Sequence, residues 1–125
     1  MHVDTDLLLK VADKIKTGWE LCGSKWQNCE AETIVCQAIC SCALNFREHG
    51  DAFSWQGKGT QCVSGGGLAD NPKGMQSLQD DKCIVLEPYT GQLSAPKTTV
   101  RNDNAEPMVI RVTDKLLHYA MSMVA

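Results

Sequence analysis

The chain has 125 residues, 43% of them hydrophobic and 22% charged, with a formal net charge of −3. That length predicts one domain, 1–125, able to bury roughly 65–70% of its unfolded surface without metal or disulfide staples. The composition is too apolar for a disordered chain, and the negative balance supplies no basic field for nucleic acid or an anionic membrane.

At the N-terminus Asp4 and Asp6 precede Leu7-Leu8-Leu9 and Lys10 follows, the reverse of a signal peptide's order. The longest nearly uncharged stretch, 34–46, is shorter than a bilayer span. A cytoplasmic location is therefore expected, where the seven cysteines stay reduced. An odd count also argues against a disulfide framework.

Leu7, Leu8, Val11, Ala12 and Ile15 recur at helical spacing, with Lys10, Asp13, Lys14 and Lys16 opposite. This predicts a first helix capped by Asp4 or Asp6 and stopped at Gly18, with Trp19 folding back. Trp19 to Asn28 reads as a short strand or loop with a turn at Gly23-Ser24. A second helix is predicted over 30–48. Ala38, Cys42, Val35, Phe46, Ile39, Ala43 and Cys36 form one broad apolar arc, and Thr33, Gln37, Ser41, Asn45 and Glu48 a narrow polar stripe. A helix so widely apolar is covered on at least two sides, and Gly50 ends it.

Seven of the ten glycines fall between Gly50 and Gly74, so that segment is read as irregular, with a glycine-rich hairpin. Cys83-Ile84-Val85-Leu86 is a buried-strand candidate stopped by Pro88, and Thr98-Thr99-Val100 a further one. Asn102-Asp103-Asn104 is expected to cap a C-terminal helix with Pro107 in its first turn. Two stripes serve that helix: Val109, Val112, Leu116 and Met123, and beside them Ile110, Leu117, Met121 and Val124. So wide an apolar face is compatible with a homodimer. The predicted class is helix-dominated α+β: three main helices around a buried central one, with a small irregular sheet or hairpin between helices two and three.

Several constellations bear on chemistry. Cys36 and Cys40 share a helix face and could hold zinc with His49 and Cys22 or Cys62. No paired ligands on a turn support that, and cysteine also serves as a small buried hydrophobe. Cys29, at the start of the second helix, is where the helix dipole favours a thiolate. Its base would be His118, because His49 lies nearly 30 Å away at the far end of a helix of about 20 residues. His118 also reads as an ordinary half-buried histidine. Gly57-Lys58-Gly59-Thr60 lacks the rest of a phosphate loop, and Ser64 lacks the glycine of a nucleophile elbow. Trp26 and Trp55 could line a pocket over Gln37, Ser41 and Asn45.

Leu7-Leu8 through Val11-Ala12, Gly18-Trp19, Cys36 with Ala38-Ile39 and Ala43-Leu44, and Asn102-Asp103 ahead of Val109, Val112, Leu116 and Ala120 make a familiar order. It resembles a small family of bacterial and phage proteins with no established activity, over about half of the chain. The resemblance implies architecture, and association with mobile elements, but no chemistry. The glycine-rich 50–74 segment departs from that family, as does Val35 where the family carries tryptophan.

These readings converge on a binding or interaction protein for a protein or small ligand, without catalysis or cofactor, and with Gln37, Ser41, Asn45, Trp26 and Trp55 as binding residues. The alternatives are a cysteine-dependent hydrolase or transferase using Cys29 with His118, and a zinc-stabilised module.

Overall fold

A computed structural model describes residues 3–22, 30–55, 72–95, 99 and 101–124. The described residues form four helices, α1 (Thr5–Cys22), α2 (Glu30–His49), α3 (Pro72–Asp80) and α4 (Asp114–Val124). Two strands, β1 (Ile84–Pro88) and β2 (Met108–Val112), stand between α3 and α4 in the chain. The protein is thus helix-dominated α+β, with its small sheet between the central and last helices.

Helix α1 starts as its sequence dictates. The Asp4 carboxylate accepts the Leu7 N–H at 3.1 Å, satisfying a backbone donor that no helical carbonyl can reach. Leu8, Val11, Ala12 and Ile15 are buried against the core. The helix does not stop at Gly18, nor does Trp19 open a strand; both lie within α1. A glycine inside a helix costs only about 1 kcal/mol relative to alanine, which the turns on either side can absorb.

Helix α2 lies in the centre. Val35, Cys36, Ala38, Ile39, Cys42 and Ala43 are buried as the predicted arc requires, and Cys40 is buried with them. At the end Gly50 takes φ +78° and its N–H donates to the Phe46 carbonyl at 2.9 Å. That left-handed turn is glycine's natural place.

Helix α3 falls partly inside the segment expected to be irregular. Pro72 opens it, where a missing N–H costs nothing. It closes with Lys82 at φ +60°, the Lys82 N–H bonded to the Gln79 carbonyl and the Cys83 N–H to the Leu78 carbonyl. This paired arrangement satisfies two end-of-helix carbonyls and turns the chain directly into β1.

The C-terminal region differs most from expectation. Residues 108–112 form a strand rather than the first turns of a helix, antiparallel to β1 with Leu86 opposite Ile110. Val109, Ile110 and Val112 are β-branched and pack well on a pleated surface. The cap lies instead at Thr113, whose Oγ1 accepts the Leu116 N–H at 3.4 Å. Asn102 builds a tight turn, its Oδ1 accepting the N–H groups of Asn104 and Glu106, with Ala105 at φ +61°. Short apolar runs fit both periods, so spacing alone could not separate strand from helix here.

The sheet has two faces of different character. Ile84, Ile110 and Val112 join the main core with Leu8, Val11, Ile15, Ile39, Leu116 and Leu117. Alternation turns Val85, Glu87, Val109 and Arg111 to the opposite face. Ser54 makes an isolated bridge to Ile110, two N–H···O bonds of 2.8 and 2.7 Å, on the free side of β2. Thr99, from the expected strand 98–100, is buried outside any strand; Thr98 and Val100 lie outside the described residues.

Candidate functional site

Of the predicted binding residues, the structure describes the side chains of Ser41, Asn45 and Trp55, and Asn45 and Trp55 both meet Phe53. Asn45 of the polar stripe is spent on the fold: its Nδ2 donates to the Phe53 carbonyl at 2.6 Å, fixing the chain just after α2. Ser41 is half-buried, while Trp26 and the side chain of Gln37 lie outside the described residues. Trp55 packs edge-on to Phe53 and Tyr89, with ring centroids 5.1 and 4.4 Å away. The Tyr89 hydroxyl accepts the Leu93 N–H at 2.8 Å, so this aromatic cluster also anchors the loop after β1.

Beside that cluster Arg111 gathers three segments. Its guanidinium binds Asp51 through both nitrogens at 2.7 and 3.2 Å, donates to the Ala52 carbonyl at 3.1 Å and pairs with Glu87 on β1. It also lies 6.0 Å from the Phe53 ring centroid. The guanidinium beside Asp51 holds that carboxyl below the ordinary carboxylate value. The bonds to Asp51 and Ala52 tie 51–52 to the sheet, and the pair with Glu87 links its two strands.

Neither sequence-derived chemical site assembles among the described residues. Cys29 lies outside them, and His118 is exposed on α4 rather than half-buried. Cys36, Cys40, Cys42 and Cys83 are buried thiols, none in a disulfide. Burial pushes the Cys42 thiol up to about 12, against weaker opposing effects of a backbone hydrogen bond and the Arg111 charge. Among the described residues no group of three potential ligands could hold a metal ion. Nor is any helix among them long and apolar enough to cross a membrane.

Among the described residues, a cleft of about 400 Å³ between α2, α3 and α4 is suited to recognition. Val35, Leu78, Leu116 and Cys83 line it, with Gly74 and Ser77 along α3. Asp81, Lys115 and Tyr119 complete its border. The Schellman turn at Lys82 shapes one end by carrying the chain from Leu78 to Cys83. Lys115 is fixed there, its Nζ donating to the Asp81 carbonyl at 2.6 Å. Desolvation raises the Cys83 thiol above its ordinary value, so it stays protonated at neutral pH. Sequence reasoning missed this cleft because one wall is α3, which lay hidden at the edge of a glycine-rich stretch. Pro72 followed by Met75 and Leu78 was the available signal.

The described residues thus define a helix-dominated α+β fold with a mostly apolar recess between α2, α3 and α4. No protein-family model, curated protein or solved structure matches the chain.

Proposed function

We propose that this is a cytoplasmic binding protein that holds a small ligand in the cleft between α2, α3 and α4 without chemically changing it. The cleft itself carries the reading: about 400 Å³, within the range of small-molecule sites, with apolar walls and a few polar groups gathered at one end. Desolvation raises the Cys83 thiol above its ordinary value, the opposite of what activates a cysteine nucleophile, which favours binding over covalent chemistry.

A fragment screen followed by methyl NMR tests this. Compounds that bind should shift the methyl signals of Val35, Leu78 and Leu116 in a saturable way. Binders that leave these three signals still while moving others would place recognition elsewhere and defeat the reading.

A further inference from the structure

We infer that the cleft selects an uncharged apolar small molecule, a single aromatic ring above all, over charged molecules of the same shape. This inference rests on the binding reading above. The enclosing side chains are Val35, Leu78 and Leu116, one from each of three helices, so a ligand meets hydrocarbon on several sides. Cys83, only 9% exposed, adds a neutral, polarisable sulfur, a favourable neighbour for an aromatic ring. Tyr119, 50% exposed on the border, offers a second ring against which a ligand can pack edge-on.

The charged groups at the border are poorly placed to reward a charged ligand. Lys115 already donates to the Asp81 carbonyl, where its ammonium also meets the negative end of α3. The Asp81 carboxylate belongs to the same border, so one positive and one negative charge offset each other. A ligand charge entering between the apolar walls would shed water and meet hydrocarbon, while the two border charges, both on exposed residues and of opposite sign, sum to zero, an unfavourable exchange. Size narrows the class further. The cleft has the volume of about 13 waters, room for one substituted ring rather than a dinucleotide.

The test titrates the full chain with toluene, benzylamine and benzoate, following the methyl signals of Val35, Leu78 and Leu116. Toluene should give saturable shifts, with both charged compounds at least about tenfold weaker in Kd. Equal or tighter binding of either charged compound overturns the inference while leaving the binding reading intact. If none of the probes moves these signals, the inference fails, and the fragment screen alone decides the binding reading. Ser77→Trp places an indole in the mouth from an exposed helix position and should abolish the toluene shifts without lowering the melting temperature. Toluene shifts that persist in a folded Ser77→Trp protein overturn the assignment to this cleft. Binding of N-acetylphenylalanine amide about tenfold tighter than toluene would identify a peptide side chain as the occupant and overturn the small-molecule class.

Discussion

Replacing Arg111 with methionine would remove the guanidinium that joins Asp51, Ala52 and Glu87 while keeping an apolar stem over Phe53. The arginine side chain is 25% exposed, and the two acids are 50% and 37% exposed. A fully buried hydrogen bond to a charged group contributes about 1.5–3 kcal/mol and an exposed ion pair about 0–1. Because both acids can rehydrate once released, the pair with each acid is assigned about 1 kcal/mol and the lone bond to the Ala52 carbonyl is left out, for a total near 2 kcal/mol. In a chain of this size that corresponds to a melting temperature lower by roughly 6–10 °C. The pH dependence fixes the sign. Arg111 depresses the folded Asp51 pKa below the ordinary 3.8, so its contribution is complete above that value. It disappears as pH falls through the lower folded value. Thermal denaturation followed by circular dichroism should show the full gap at pH 7 and a shrinking one below about pH 4. Arg47→Met is the internal control: its pair with Asp13 spans 2.7 Å, but the side chains are 46% and 67% exposed. Its loss should cost no more than about 0.5 kcal/mol. Equal costs for the two variants, or an Arg111 gap undiminished in acid, would refute the reasoning.

Thr113→Val preserves shape and branching but removes the hydroxyl that donates to the Lys82 carbonyl at 2.8 Å and accepts the Leu116 N–H. It should destabilise by about 1–2 kcal/mol, seen as a lower urea midpoint with an unchanged m-value. A changed m-value would instead point to altered compactness. Cysteine alkylation at mildly alkaline pH, read by mass spectrometry, should leave Cys42 unlabelled in the native protein, since its thiol is pushed up to about 12. Cys83 should label more slowly than in urea and accelerate as pH rises. Native Cys42 reacting at its unfolded rate would contradict its burial.

Local signals were legible wherever chain geometry and burial agreed. Asp4, the buried arc of α2, the Gly50 stop and the apolar start of β1 each combine a backbone requirement with a residue suited to it. Residues 108–112 misled because Val109, Val112 and Leu116 fit a helical stripe, although Thr113 marked the true start of α4. The site was less visible than the fold. Val35, the Leu78–Cys83 turn and Leu116 lie far apart in sequence, and each looks like ordinary core. Only long-range packing leaves a recess among them. Trp55 shows the converse, since its partner Tyr89 lies in a distant loop and no spacing rule pairs them.

Pro88 bears on whether a strand from another molecule can add to the sheet. The Tyr89 N–H bonds to Pro107 and the Thr113 N–H to Cys83, so odd-numbered β1 residues direct their backbone groups toward β2. Even-numbered ones, Pro88 among them, point outward. A strand arriving from another molecule would meet a pyrrolidine ring where it needs a donor. On the far side of β2, Ser54 already occupies the bonding groups of Ile110. The two-stranded sheet is thus blocked at one end of one edge and occupied on the other, a guard against fibre growth built from two residues.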